Sequence, residues 1–379
     1  MKILLTGGGS GGHFYPIIAI AQELNELAKE NRILRPELFY MSTDDYNEGL
    51  LYENGIIFKK VNTGKIRRAL SVPNIIKNFF DLFKTFFGTL SALVTVFNIY
   101  PDVIFGKGGY ASFPALFAAR VLGIPIVIHE SDTAPGKVNA WASKFAKRIA
   151  VSYPESVKFF PAGKTADTGN PVRKELQEPL SVGAHEFLHL ETGVPVIFIL
   201  GGSQGAQHIN ETIMDALPTL VSKYQIIHQT GKRNIEVMKE TAAVVLDKNP
   251  HKDRYKPFDY LNVLSIRMAA GVADIIVSRA GSTIFEIASW GIPSIIIPIP
   301  EKTSHDQRTN AYAYARTGAC EVIEEKNLTG HILVAEIDRI VGNPEERKKM
   351  SDAAKSFSRH DSARLIAKEI LDIALSHEK

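Results

Sequence analysis

Three glycine-rich turns have the composition of phosphate cradles. Gly7-Gly8-Gly9-Ser10-Gly11-Gly12, Gly106-Lys107-Gly108-Gly109 and Gly201-Gly202-Ser203-Gln204-Gly205 each follow an apolar run and precede a helical pattern. Such a turn lets backbone N–H groups approach a phosphate, and the helix start adds roughly half a positive charge. A fourth segment, Ser278-Arg279-Ala280-Gly281-Ser282-Thr283-Ile284-Phe285-Glu286, adds a carboxylate about one turn into its helix. From there Glu286 can accept hydrogen bonds from two vicinal hydroxyls, as on a ribose. Thr283 to Glu286 equally fits the S/T-x-x-E capping box. His13 closes the first loop, where an imidazole titrating near 6.5 can take a proton at neutral pH or fix the loop by a hydrogen bond.

Two motifs point to other chemistry. Gly7, Gly9 and Gly12 satisfy G-x-G-x-x-G, but a dinucleotide site also wants an acidic residue about 20 positions on. Asp44 and Asp45 lie well beyond that spacing, so nicotinamide binding is disfavoured. His185-Glu186-Phe187-Leu188-His189 matches the zinc-protease pattern H-E-x-x-H, with Glu211 near a third-ligand distance. It sits in a short polar stretch away from every glycine loop and reads as a solvated face, so no metal site is expected.

The elements that must position these loops alternate. Apolar β-branched runs at 2–5, 38–42, 103–105 and 124–128 are separated by helical patterns such as 17–27, and the rhythm restarts at 196–200, 226–229, 275–278 and 294–297. This alternation predicts βαβ units and parallel sheets, in two Rossmann-like domains facing across a cleft. A break at Pro161-Ala162-Gly163 and a turn at Thr168-Gly169-Asn170-Pro171 put the boundary between residues 1–167 and 168–360. Residues 362–375 form an amphipathic helix behind Asp361.

Composition agrees with an α/β enzyme. The 379 residues are 45% hydrophobic and 22% charged, ordinary globular values. The net charge of +3 gives no electrostatic footprint for nucleic acid. The single cysteine, Cys320, excludes an internal disulfide and any multi-cysteine metal site. The N-terminal apolar run is too short for a signal peptide, and the uncharged stretch 85–101 falls short of about 20 residues. A cytoplasmic protein without a spanning helix is expected.

Taken together, the loops resemble the MurG family. The resemblance spans nearly the whole chain, through Gly8–Tyr15 with Pro16, Gly106-Lys107-Gly108-Gly109-Tyr110, His129-Glu130 with Pro135-Gly136, and Gly169-Asn170-Pro171-Val172-Arg173. It continues through Gly201-Gly202-Ser203-Gln204-Gly205-Ala206, Ala280–Glu286 and Gln307 with Asn310-Ala311. It implies a GT-B glycosyltransferase, inverting and independent of metal or other cofactor. Such an enzyme moves N-acetylglucosamine from UDP to the C4 hydroxyl of lipid I, undecaprenyl-pyrophosphoryl-MurNAc-pentapeptide, making lipid II for peptidoglycan. The sequence holds no D-x-D pair, in keeping with metal-independent transfer. The resemblance assigns the acceptor to residues 1–167, completed by a returning helix at 361–379, and UDP-GlcNAc to 168–360. Rivals in other classes are another UDP-sugar enzyme, including a UDP-GlcNAc 2-epimerase, and an NAD(P)-dependent oxidoreductase.

The resemblance also implies roles. Ser203, Gln204 and Gly205 meet the UDP diphosphate, Arg173 reaches the nucleotide, and Phe258 contacts uracil through its backbone. Gly281, Ser282, Thr283 and Glu286 hold the α-phosphate and ribose. Gln307 faces the sugar hydroxyls, approached from the other domain by Ser10, Gly11 and Gly12; Tyr110, Asp132 and Asn310 are further substrate-binding positions, Asp132 at a sugar contact. His13 is the candidate base. This chain departs from the family's His-Glu-Gln-Asn at His129-Glu130-Ser131-Asp132, where Asp132 cannot donate as an amide does. It departs again at Asp306 before Gln307, where several members pair two glutamines. Residues 65–93 carry Ile75, Ile76, Phe79, Phe80, Leu82, Phe83, Phe86, Phe87 and Leu90, flanked by Lys65, Arg67, Arg68, Lys77 and Lys84. That pattern suits peripheral contact with an anionic membrane surface on its cytoplasmic face.

Overall fold

A computed structural model describes residues 1–64, 72–201, 206–300 and 307–377, with the side chains of 72–76 and 377 left out. The expectations placed on Lys65, Arg67, Arg68, Ser203, Gln204, Gly205 and Asp306, and on the side chains of Ile75 and Ile76, lie outside the described residues. The chain forms two units, Met1–Arg173 with Arg359–Lys379, and Lys174–Ser358.

Unit 1 is a parallel sheet of seven strands, β1 (Lys2–Thr6), β2 (Glu37–Ser42), β3 (Ile56–Lys60), β4 (Val103–Gly106), β5 (Ile126–Glu130), β6 (Arg148–Val151) and β7 (Thr165–Asp167), in the order β3-β2-β1-β4-β5-β6-β7. Its central strands are unbroken apolar runs because helices cover both faces. Alternation along β1 sorts the two layers. Ile3 and Leu5 join Phe14, Ile17, Ile366 and Ile370, whereas Leu4 joins Ala92, Val96, Ile104 and Leu116. The first layer contains the helices Gly11–Glu30 and Ser362–His377. Arg364 pins them together by pairing with Glu30 and, at 3.4 Å, with Glu23.

Unit 2 repeats the plan with β8 (Val196–Leu200), β9 (Gln225–Gln229), β10 (Tyr255–Phe258), β11 (Ile275–Ser278), β12 (Ser294–Ile296) and β13 (Cys320–Val322). All are parallel, in the order β10-β9-β8-β11-β12-β13. In both sheets the chain runs outward from the first strand, then returns to its other side. The strand order therefore reverses between β1 and β4 and between β8 and β11, the positions where open α/β sheets bind ligands.

The helix Val72–Ile99 corrects one expectation. Its segment Lys77–Ile99 is, by length and composition, apolar enough to cross a bilayer; counting only uncharged residues had cut it short at Lys84. One face is nevertheless built into unit 1, with Ala92 and Val96 in the core beside Leu4 and Ile104. The other exposes Phe79, Phe80, Phe83, Phe86, Phe87, Leu90, Val94 and Phe97.

Candidate active site

In unit 1 the loops after β1 and β4 meet at the switch point. Gly8, Gly9, Gly108 and Gly109 have positive φ, which L side chains rarely adopt. A side chain on Gly109 would also lie 2.9 Å from Gly8 O and 3.4 Å from His13 Cε1, and one on Gly9 would lie 2.9 Å from the Tyr110 ring. The glycines thus permit two backbones to interlock beside His13 and Tyr110. Ser10 is the extended N-cap of the helix Gly11–Glu30, which has no acidic residue in its first turn. That leaves its positive end available to an anion. Ser10 Oγ lies 3.0 Å from His13 Nδ1, so one ring nitrogen is engaged locally while Nε2 is directed at the Gly109 turn.

Beneath these loops lies a buried ionic network that sequence reasoning missed as a site. Lys107, fully buried, donates to His129 Nδ1 at 2.8 Å, to Asn170 Oδ1 at 3.1 Å and to Ser131 Oγ. His129 Nε2 donates to Gly169 O at 3.0 Å, which fixes its tautomer. Glu130 accepts from the backbone N–H groups of Asp132 (3.1 Å) and Gly136 (2.9 Å) and from Asn139 Nδ2 (2.9 Å). Burial pulls the Lys107 ammonium below its ordinary range, opposed by Glu130 and Asp132. Burial also lifts the Glu130 carboxyl, with Asp132 adding to the rise and the three donors opposing it. His129 is held neutral by burial, with the Lys107 charge contributing. The only available signal was a lysine inside a glycine loop, opposite a histidine at a strand end.

Asp132 is held in place by its backbone, through the Glu130 bond and a 2.8 Å bond from Ser156 Oγ to its carbonyl. Arg173, buried at the end of unit 1, stacks its guanidinium 4.4 Å over the Tyr15 ring. It therefore sits beside the first glycine loop.

In unit 2 the helix Gln207–Lys223 starts just after the second-half glycine loop, with no acidic residue in its first turn. Across the switch point, β11 leads through Gly281 into the helix Thr283–Trp290, whose cap is Ser282. Ser282 makes no side-chain cap bond, and Glu286 lies one residue beyond the box position counted from it. Thr283 is therefore the first residue inside the helix and not its cap. The segment after β12 brings Gln307 and Asn310 to the same end of the sheet. Gln307 Nε2 would lie 3.7 Å from a Gly281 side chain, and Asn310 Nδ2 donates to Ala280 O at 3.4 Å. Phe258 ends the edge strand β10, and its carbonyl accepts from Thr230 N at 2.9 Å.

A neutral network anchors the helix Gln207–Lys223. His228 Nε2 lies 3.0 Å from Asn210 Oδ1 and its Nδ1 lies 3.0 Å from the Tyr255 hydroxyl, while Asn210 Nδ2 donates to Thr230 O at 3.0 Å. Burial alone pushes His228 down to about 3.

The H-E-x-x-H pentapeptide does not form a zinc helix. Its helix, Ala184–Phe187, ends before His189, which has φ +53°. Among the described residues no group of three or more His, Cys, Asp or Glu side chains is disposed to hold a metal ion.

Comparison with known proteins matches residues 3–151 to the glycosyltransferase family 28 N-terminal domain and residues 196–366 to its C-terminal domain. A Natranaerobius thermophilus protein is 34% identical over 97% of this chain and 98% of its own length. A Bacillus cereus protein is also 34% identical, over 97% and 99% respectively. Both are named UDP-N-acetylglucosamine–N-acetylmuramyl-(pentapeptide) pyrophosphoryl-undecaprenol N-acetylglucosamine transferase, the latter with the suffix 2. Among solved structures, Acinetobacter baumannii MurG superposes with a TM-score of 0.72 at 24% identity, covering 98% of this chain and 99% of that one. The Neisseria meningitidis UDP-GlcNAc 2-epimerase gives 0.66 at 15% identity, covering 98% and 100%. The GT-B fold is thus common to transferases and epimerases, and full-length sequence identity singles out the transferases.

Proposed function

The chain belongs to the MurG family within glycosyltransferase family 28, and from that premise we propose that its two switch points divide one reaction between them. The protein transfers N-acetylglucosamine from UDP-GlcNAc to lipid I. The unit 1 loops take the acceptor, whose pyrophosphate faces the start of the helix Gly11–Glu30, with Ser10, Gly11, Gly12, Tyr110 and Asp132 around it. The unit 2 loops take UDP. Ser203, Gln204 and Gly205 meet its diphosphate, Gly281, Ser282 and Thr283 the α-phosphate, Glu286 the ribose, Phe258 the base, and Gln307 with Asn310 the sugar. Arg173 carries its charge to the nucleotide side.

Transfer is a single displacement. The acceptor C4 hydroxyl attacks the anomeric carbon, its proton passes to His13, and UDP leaves with inversion. When His13 Nδ1–H donates to Ser10 Oγ, Nε2 keeps the lone pair that a general base needs. Fixed N–H dipoles at the starts of the helices Gln207–Lys223 and Thr283–Trp290 stabilise the leaving diphosphate without a divalent ion. The observation that carries this reading is the recurrence of the same strand-order reversal in both sheets. The test is incubation with UDP-GlcNAc and a short-chain lipid I analogue in EDTA, scored for disaccharide product. UDP-ManNAc formation without acceptor would favour the epimerase instead.

The exposed face of the helix Val72–Ile99 supports peripheral membrane attachment. Residues from Phe79 to Phe97 form a stripe about 27 Å long, while the opposite face is committed to the unit 1 core. The helix therefore lies along the lipid surface, with Lys77 and Lys84 near anionic headgroups. Flotation with anionic liposomes at low salt is expected, and absence of binding there would end this part of the reading.

A further inference from the structure

We propose that Lys107 is a positioning residue for the acceptor half of the reaction: its buried ammonium gathers His129, Ser131 and Asn170 and thereby sets the Gly108–Gly109 turn against Gly8 and His13. This rests on the reading that the unit 1 loops take the acceptor.

An isolated ammonium is costly to bury unless every proton finds an acceptor. Here three protons meet three acceptors, one at the end of β5, one in the loop after it and one in the turn before Arg173. No carboxylate belongs to that set, because Glu130 is occupied by Asp132 N, Gly136 N and Asn139. The geometry is a three-way tie between segments and not an ion pair. It is also saturated. Lys107 has no proton left to direct at a substrate, which separates it from the catalytic groups.

The tie lies directly under the two glycine loops that flank His13. Lys107 N donates to Thr6 O at 2.8 Å, the last ladder bond between β4 and β1. A side chain on Gly7 would touch Lys107 Cβ at 3.1 Å. The next two residues form the positive-φ turn that touches Gly8 O and faces His13 Cε1 and Nε2. Movement of Lys107 therefore shifts the wall against which the His13 ring is set, without removing any atom that touches substrate.

The test is Lys107→Met, which keeps the length of the side chain and removes the three donors, assayed beside Gly109→Ala in the full chain with UDP-GlcNAc and a short-chain lipid I analogue. Lys107→Met is expected to lower kcat by about 10²-fold, the cost of an ångström-scale misplacement, and to raise the acceptor KM several-fold. The KM for UDP-GlcNAc and the affinity for UDP should stay within about twofold of wild type, since uniform donor binding is untouched. A purely structural lysine predicts a lower Tm with unchanged acceptor kinetics, and that outcome overturns the proposal. If Lys107→Met does not fold, Ser131→Ala removes one acceptor of the three and is expected to lower kcat by about tenfold with the same KM split; unchanged kinetics there overturn it equally. Loss of acceptor kinetics in Gly109→Ala but not in Lys107→Met leaves the acceptor reading standing and removes Lys107. If both variants alter UDP-GlcNAc binding and spare the acceptor, the acceptor reading fails and the proposal falls with it.

Discussion

Units 1 and 2 follow the same winding rule and reverse their strand order at the same place, yet their buried polar networks are built by different chemistry. In unit 1 the anchor under the loops is ionic, with a lysine and a glutamate both buried around His129. In unit 2 it is neutral, a histidine between an asparagine and a tyrosine. Among the described residues, buried lysine, arginine and carboxylate side chains occur only in the unit that carries the proposed base, His13.

The largest effect that sharpens this contrast is expected at His13. His13→Ala should lower kcat by roughly 10²–10⁴ with a modest change in KM, measured with saturating donor and acceptor. A near-wild-type kcat would remove His13 from the chemistry and leave it as a fastener of the Ser10 turn. In unit 2 the matching experiment is Glu286→Ala. Losing charge-assisted bonds to ribose should cost about 1.5–3 kcal/mol, or about 10–150-fold in UDP-GlcNAc affinity, read by calorimetry. A drop in Tm with intact affinity would contradict the nucleotide role and return Glu286 to helix capping.

The contrast also explains what was legible beforehand. Every interior strand but the short β6, which opens on the exposed Arg148, announced itself, because burial on both faces demands unbroken apolar runs; 196–200 and 275–278 coincide with β8 and β11. The edge strands β3, β7, β10 and β13 did not, since Lys59, Lys60, Asp167, Lys256 and Glu321 break their apolar pattern. β5 was placed two residues early because Ile124 belongs to the turn, whereas His129 and Glu130 complete the strand. The loop glycines were legible because positive φ leaves few other choices of residue. The anchors were not. His129 and Asn170 stand 22 and 63 residues from Lys107, His228 stands 18 from Asn210, and a polar residue inside a strand carries no sign of its partner.

The smallest expected effect tests the anchors themselves, through pH. His228 titrates near 6.5 in the unfolded chain and at about 3 in the folded one. Above pH 6.5 neither state binds the proton, so this group contributes no pH dependence. Between about 6.5 and 3 the unfolded state takes up a proton that the folded state refuses, and stability falls with pH by about 1.4 kcal/mol per unit. His129 has the same sign, since its folded value is also depressed by burial. Glu130 has the opposite sign. Its folded value lies above the ordinary 4.5, so above about pH 4.5 the folded state holds a proton that the unfolded state has released, and stability rises as pH falls. In unit 1 the two contributions offset each other between about pH 4.5 and 6.5. His228→Gln should therefore reduce proton uptake on unfolding at pH 5.5 by about one. Glu130→Gln should leave unit 1 with the uncompensated His129 slope. Denaturant titrations of the full chain from pH 7.5 to 4.5 measure both, and identical pH slopes in wild type and His228→Gln would mean that the unit 2 anchor is not the buried neutral histidine its burial requires.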